Sequence, residues 1–227
     1  MSSRLWPILA SVFGVATLGV FVAFGQLPEA AAVYEPQEVG LAVGAFQRST
    51  TLADLAVVFG DPANSAIVAA MDAINTLDLY AFIPAYTLFL IAAAFMLGAG
   101  KSPQLMWAAI AAGVLGAGAD AVETFQQLRL TADYQNAAAH LPLIAPAHWV
   151  KYFGLGACAA LFGALCFTGA RKRWIIGVLA MLTLPLVAAA FAGLIEARVF
   201  TGALGAFWTA LLVVALIEAV RGRGAPA

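Results

Sequence analysis

Charged residues are scarce in this chain. Only 10% of its 227 residues are charged, and the net charge is -1, whereas about 25% of residues are charged in soluble proteins. No basic run longer than the three residues 171–173 is present, which argues against a nucleic-acid partner, because such binding needs clustered Lys and Arg to neutralise phosphates. Apolar residues take up 63% of the sequence, and the mean hydropathy is +0.94. This composition predicts an integral membrane protein.

Cysteine and histidine are equally sparse. Cys158 and Cys166 are eight positions apart on one predicted helix, about 12 Å along its axis, which is too far for a disulfide. His140 and His148 are the two histidines, and they do not form a spacing typical of zinc sites. The sequence therefore predicts no metal site and no cofactor, although a bound lipid is compatible with it.

Six apolar stretches approach the roughly 20 residues that a helix needs to cross about 30 Å of hydrocarbon. They predict an all-α polytopic membrane helix bundle, organised as a single transmembrane domain over residues 1–227. Short loops join most of the stretches, so neighbouring helices should be antiparallel. The predicted spans cover residues 5–24, 79–97, 104–122, 149–168, 174–195 and 203–220.

Basic residues predict the orientation, because Lys and Arg in short loops favour the cytoplasmic side. We expect both termini in the cytoplasm of a bacterium and the six spans in its inner membrane. The first apolar run, at about 20 residues, exceeds the core of about 7 to 15 residues in a secretory signal. It therefore favours an uncleaved anchor over a signal cleaved near 30–32. The basic positions are Arg4, Lys101, Arg171, Lys172, Arg173, Arg221 and Arg223.

Residues 26–77 form the longest polar stretch and are predicted to be an extracytoplasmic loop with short surface helices. Thr50 or Thr51 can cap a helix over 52–59, and Asn64 or Ser65 can cap a second one. In the second helix Ile67, Met71 and Ile74 share a face that suits the membrane surface, with Asp72 and Asn75 turned away from it.

Seven ionisable residues fall at the same end of four predicted spans. Such groups are costly at membrane depth and usually face a bundle interior or a wet cavity. Their convergence predicts a polar pocket for a ligand or ion near the outer leaflet, to which Tyr152 also belongs and in which Tyr86 forms a hydrogen-bonding floor. The seven are Asp78, Asp120, Glu123, His148, Lys151, Glu196 and Arg198.

Asp120 and Glu123 are the strongest candidates for chemistry. Residues three apart project from one helix face, and Gln127 extends the same stripe. Paired carboxylates can shuttle a proton, act as acid and base, or hold a cation. The alternative is an interfacial pair, solvated at the helix end and neutralised by Lys151 or Arg198.

Asp78 opens the second span and either faces this pair or simply caps its own helix. His148, Lys151 and Tyr152 share one face of the fourth span. Lys151 is the natural counter-charge for the carboxylates, although a lysine near a membrane edge can instead reach the headgroups. We count Asp78 and His148 with the candidate catalytic groups. Glu218 is expected to pair with Arg221.

The segment 77–86, LDLYAFIPAY, and the later 119–123, ADAVE, resemble uncharacterised bacterial multi-pass proteins with L-D-x-x-F-x-x-x-Y and D-x-x-E-N segments. Phe82 falls one place later than that pattern, and Thr124 stands in place of the Asn. The resemblance implies that Asp78 pairs with Asp120 and Glu123, and it implies no reaction.

Three functions fit these features. The first is an accessory or scaffold subunit of a larger membrane complex, with membrane lipids and other integral subunits as partners. The second is an intramembrane enzyme that acts on a lipid or isoprenoid through its carboxylates. The third is a proton-linked carrier of small solutes. The accessory subunit needs the fewest unobserved groups.

Overall fold

The structure is a computed structural model that describes residues 5–28, 42–168 and 173–221. These residues form helices and connecting turns without a strand, and six helical segments are long and apolar enough to cross a membrane. The predicted helix bundle and its six spans are confirmed, so the chain is an integral membrane protein. The positions Arg4, Arg171, Lys172 and Arg223 and the proposed cleavage site lie outside the described residues.

Nine α-helices follow one another along the described chain, with a π-helical turn at Asp78–Phe82 and a 3-10 turn at Tyr134–Ala139. The π-helical turn joins α4 to α5 without a break, so this span runs from Ser65 to Gly98. The helices are α1 Leu5–Phe24, α2 Ala42–Gln47, α3 Leu52–Phe59, α4 Ser65–Leu77, α5 Ile83–Gly98, α6 Pro103–Ala132, α7 Leu141–Phe167, α8 Trp174–Phe191 and α9 Ala197–Arg221.

Four spans are longer than predicted. Helix α6 continues ten residues past the predicted end at 122, and α7 begins eight residues before the predicted start at 149. Hydropathy identifies the part of a helix that is favourable in lipid. The extensions contain polar residues, which remain helical because the rest of the protein surrounds them. Asp78 consequently lies inside a continuous helical segment. The interpretation that it caps the start of a helix is wrong.

The π-helical turn has a local cause. The N–H of Ile83 donates to the carbonyl of Asp78, five residues back. The next residue, Pro84, has no N–H to donate and its ring crowds the carbonyl four residues earlier, so the backbone widens at this point. Turns of this kind occur often at functional sites, and here it carries Asp78.

Helix α8 ends at Phe191, before the predicted limit of 195. Gly193 adopts a positive φ of 73°, and the N–H of Leu194 donates to the carbonyl of Ala189 at 2.9 Å. This is the usual glycine-terminated helix end. It moves Glu196 and Arg198 out of α8 and into the turn and the start of α9.

The chain divides into two compact units. The first unit contains Met1–Thr17, Ala85–Ala117 and Tyr152–Ala227. Within it Glu218 pairs with Arg173 at 2.9 Å. The sequence had predicted that Glu218 would pair with Arg221. Lys101 donates to the carbonyl of Leu165 at 2.5 Å, near the end of α7, and burial lowers the pKa of this lysine.

Close helix contact in the first unit depends on glycine. A Cβ at Gly154 would lie 2.8 Å from Cα of Gly116 and 3.0 Å from the carbonyl oxygen of Ala112. Both neighbours are backbone atoms, which cannot swing aside as a side chain can. A residue with a side chain at position 154 would therefore prevent helices α6 and α7 from approaching as closely as they do.

We expect Gly154→Ala to lower the free energy of unfolding by about 1–3 kcal/mol, the usual cost of overpacking. Gly205→Ala in α9 is the matched control, because a Cβ there meets nothing within 4 Å. It should be neutral or stabilising, since alanine favours helix by about 1 kcal/mol over glycine. Thermal unfolding in bicelles measures both variants. Equal effects of the two substitutions would contradict the close contact.

The second unit contains Leu18–Pro84 and Gly118–Lys151. Its short helices surround an apolar core in which the ring of Phe59 contacts those of Phe46 and Tyr134 edge-on, at centroid distances of 4.9 and 5.7 Å. Met71 and Ile74 of α4 are buried in the same core. The apolar face of α4, which was predicted to lie on the membrane surface, therefore packs against protein. The remaining core residues are Ala42, Leu55, Val58, Ala70, Leu130, Ala137, Leu141 and Ile144.

Helix α3 begins with the predicted cap at Thr51. The hydroxyl of Thr51 accepts from the N–H of Asp54 at 3.1 Å, while the Asp54 carboxylate accepts from the N–H groups of Thr50 and Thr51 at 2.8 and 2.9 Å. These donors, with the Thr50 N–H the strongest, lower the pKa of Asp54. The ionised carboxylate is thus the form that holds the cap.

The cap should make the stability of α3 depend on pH. Because the folded pKa of Asp54 lies below its unfolded pKa, the stabilisation is complete above the unfolded value and is lost as pH falls through the folded one. Hydrogen exchange of the α3 amides, corrected for intrinsic rates, should show this loss below about pH 4. Asp54→Ala should weaken α3 at neutral pH and remove the loss in acid. If α3 of the variant lost the same protection in acid, a group other than Asp54 would be responsible for the pH dependence.

Candidate functional site

Five of the seven predicted ionisable residues come together in the second unit. Asp120 and Glu123 lie on α6, His148 and Lys151 on α7, and Asp78 on the π-helical turn. We call these five residues the ion cluster. Four of them are almost fully buried, with exposed fractions of 4% for Asp120 and Lys151, 1% for His148 and 0% for Glu123.

Lys151 holds the two carboxylates of α6 together. Its Nζ lies 2.9 Å from Oδ1 of Asp120 and 2.6 Å from Oε2 of Glu123. The three-residue spacing of the carboxylates turns both toward one lysine on the facing helix. The prediction that Lys151 is their counter-charge agrees with this geometry. The alternative that its side chain reaches the headgroups does not, because that side chain is only 5% exposed.

His148 contacts the other oxygen of Glu123. Its Nδ1 lies 3.3 Å from Oε1 of Glu123, and the ring packs edge-on against Trp149 with centroids 5.2 Å apart. A carboxylate beside one ring nitrogen fixes the orientation of an imidazole and favours a proton on that nitrogen. Arg48, at the end of α2, lies within electrostatic range of His148.

Asp78 is the partly buried member of the cluster. Its Oδ2 accepts a hydrogen bond from the hydroxyl of Thr124 at 2.9 Å. It also lies within electrostatic range of Asp120, Lys151 and Glu123. Asp78 is thus the carboxylate of the cluster that is least enclosed by protein. Thr124 was not predicted as a site residue, although its position four residues after Asp120, on the same face of α6, could be read from the sequence.

The ion cluster brings acidic and basic groups together in a buried place. Among the residues that the structure describes, three carboxylates lie near Lys151, Arg48 lies within electrostatic range, and His148 can carry a further proton. Buried charges are costly unless partners or protons neutralise them. A cluster of this kind can therefore bind and release a proton.

A line of polar residues continues from the cluster along α4 and α6. Asp72 accepts from the hydroxyl of Thr131 at 2.5 Å, as Asp78 does from Thr124. Between these two contacts lie Asn75 and Gln127, whose side chains are 4% and 1% exposed. The sequence predicted only that Asp72 and Asn75 lie away from the apolar face of this helix. The three-residue spacing of positions 72, 75 and 78 was the signal that could have shown a shared polar face.

The other predicted site residues lie elsewhere. Tyr86 is fully buried in the first unit, with its ring centroid 5.2 Å from that of Trp208, and Tyr152 packs edge-on against Phe200 at 4.5 Å. Glu196 and Arg198 are exposed and pair with each other at 2.6 Å. The structure therefore does not bury this pair, in contrast to the other five ionisable residues.

Metal binding was not predicted. Among residues 5–28, 42–168 and 173–221, no group of three His, Cys, Asp or Glu side chains is arranged to hold a metal ion. His140 instead contacts the side-chain oxygen of Gln126 at 3.2 Å.

Comparison of the sequence with protein-family models and curated proteins, and of the structure with solved structures, found no match. The candidate site is therefore interpreted from its own geometry.

Proposed function

We propose that this membrane protein is a proton-linked carrier of small solutes, with the ion cluster as its proton-binding site. The supporting observation is a buried cluster of carboxylates, a histidine and a lysine on membrane-length helices. Ionisable groups in such helices are rare and mark ion pathways and proton relays. A bacterial inner membrane location with both termini in the cytoplasm belongs to the same proposal.

The position of the cluster within its helices supports a carrier. Helix α6 has 30 residues and α7 has 27. At 1.5 Å per residue, Asp120 lies about 26 Å along an α6 of about 45 Å. Lys151 lies about 15 Å along an α7 of about 40 Å. The charged residues therefore lie well inside their helices, away from the helix ends. Carriers hold the coupling ion within the membrane, and the proposal gives the ion cluster that position.

An intramembrane enzyme is a second candidate because of one contact. Glu123 beside Nδ1 of His148 is the arrangement in which a carboxylate orients an imidazole for general acid–base catalysis. A lipid or isoprenoid would be the substrate, since it can enter laterally from the membrane. Turnover that Glu123→Gln abolishes, without any solute uptake, would favour this candidate over the carrier.

The accessory-subunit prediction stays a proposal as well. It requires only spans and helix contacts, and it leaves the buried ion cluster without a purpose beyond packing. Gentle extraction from the source membrane followed by native mass analysis tests it. Stoichiometric migration with other integral subunits would favour it, whereas isolation alone would favour the carrier or the enzyme.

Two measurements test the carrier. Infrared difference spectra of the purified protein should show the carbonyl band of a protonated carboxyl group, and this band should change in Asp78→Asn. Vesicles with an imposed pH gradient and a trapped pH-sensitive dye should then show solute-dependent proton entry for a member of a panel of small neutral and cationic solutes. Absence of a protonated carboxyl group, together with proton entry equal to that of empty vesicles, would exclude the carrier.

A further inference from the structure

Asn75 and Gln127 form a second polar site beside the ion cluster. Asn75 lies on α4 and Gln127 on α6, and both side chains are more than nine-tenths buried. The side-chain N–H groups, Nδ2 of Asn75 and Nε2 of Gln127, have no hydrogen-bond partner among the residues that the structure describes. A buried donor without a partner is costly, so such donors are normally satisfied by protein or by water.

The two amides occupy matching positions on facing helices. Asp72 pairs with Thr131 and Asp78 with Thr124, so α4 and α6 run antiparallel past one another. Asn75 lies midway between the two aspartates, and Gln127 lies between the two threonines. Asp72 and Asp78 are six residues apart, about 9 Å along the helix. The unsatisfied donors therefore fill the interval between two hydrogen-bonded carboxylates.

The groups that line the space between the two aspartates determine which kind of ligand can bind there. Two amide donors require an oxygen acceptor, and the aspartates on either side repel an anion. A cation is disfavoured because the two N–H donors would point toward it. A neutral acceptor remains, and water satisfies both donors and the neighbouring carboxylates at once.

We infer that Asn75 and Gln127 bind water molecules that connect Asp72 to Asp78 and give protons access to the ion cluster. This inference deepens the proposed function, since the access path is of use only if the cluster exchanges protons. Hydration of the two amides can nevertheless be measured without any transport assay.

Cysteine accessibility tests the water site. In a Cys158→Ala, Cys166→Ala background, Asn75→Cys and Gln127→Cys are compared with Ile74→Cys and Leu130→Cys. The control positions lie on the same two helices but in the apolar core, 5% and 0% exposed. A thiol reacts as its thiolate, which forms in a hydrated site and not in an apolar one. A small cationic methanethiosulfonate should label positions 75 and 127 at least ten-fold faster than positions 74 and 130.

Labelling at the rate of the core controls would overturn the inference, whatever the transport assay shows. Fast labelling without solute-dependent proton entry would leave the inference standing and remove the proposed carrier. Should a cysteine variant fail to fold, the unmodified protein provides the second measurement. The side-chain amide signals of Asn75 and Gln127, assigned in ¹⁵N spectra by their loss in Asn75→Leu and Gln127→Leu, should show exchange with water. Amide signals that stay protected in D₂O would overturn the inference equally.

Discussion

Replacing Lys151 with methionine is expected to lower the free energy of unfolding by about 3–5 kcal/mol, the cost of leaving buried charges without their partner. Methionine fills a similar volume but cannot neutralise Asp120 and Glu123, which lie 2.9 and 2.6 Å from the lysine nitrogen. Neither carboxylate can turn to solvent, because both are buried. Thermal or denaturant unfolding in bicelles measures the loss.

A second substitution separates lost charge pairing from lost packing. In the triple variant Lys151→Met, Asp120→Asn, Glu123→Gln, the buried charges are removed together and most of the stability should return. Lys101→Met is the matched control, because Lys101 is partly exposed and donates to a backbone carbonyl; its effect should be smaller. If the triple variant were as unstable as Lys151→Met, packing of the lysine side chain and not its charge would hold this region together.

Asp78→Asn is expected to reduce proton-linked solute uptake by about 10²-fold or more, the contribution typical of a positioned proton-transfer group. Asparagine keeps the size of aspartate and an oxygen that can accept from Thr124, whose hydroxyl lies 2.9 Å from Asp78. It cannot take up or release a proton at neutral pH. The fold should therefore persist while the exchangeable site is lost. Uptake into vesicles under a pH gradient measures the effect, with the melting temperature as the check on folding.

Asp133→Asn is the control for that substitution. Asp133 is exposed and accepts a hydrogen bond from the side chain of Asn136 at 3.0 Å. Replacing it with asparagine removes one negative charge, as Asp78→Asn does, but removes it from the surface. Uptake by this variant should match that of the unmodified protein. Normal uptake by Asp78→Asn would exclude Asp78 from the proton pathway.

The number of spans was readable from the sequence because it depends on a local property. An apolar run of membrane length is favourable in lipid whatever the rest of the chain does. Residues 5–24 were predicted and observed with the same ends. Where polar residues continue a helix, as in the last third of α6, composition no longer marks the end. Gln127 and Thr131 remain helical because neighbouring protein surrounds them, and a hydropathy window takes no account of that protein.

Charge pairing also depends partly on local spacing and partly on contacts between distant segments. The facing of Asp120 and Glu123 was predictable, since helical spacing alone puts them on one side, and Lys151 was a natural partner by charge. Glu218 instead pairs with Arg173, 45 residues away, although Arg221 is only three positions along its own helix. The sequence offers both arginines, and only the approach of distant segments decides between them.

The sequence by itself determined the membrane class, the six spans and the paired carboxylates, because each follows from composition or from spacing within one helix. Tertiary structure decided that Asp78 joins the cluster from a π-helical turn, that Thr124 is its donor and that Glu196 and Arg198 stay on the surface. It also placed the amides of Asn75 and Gln127 between two carboxylates. These outcomes depend on the register of one helix against another, and that register is set by packing over the whole unit rather than by any short stretch of residues.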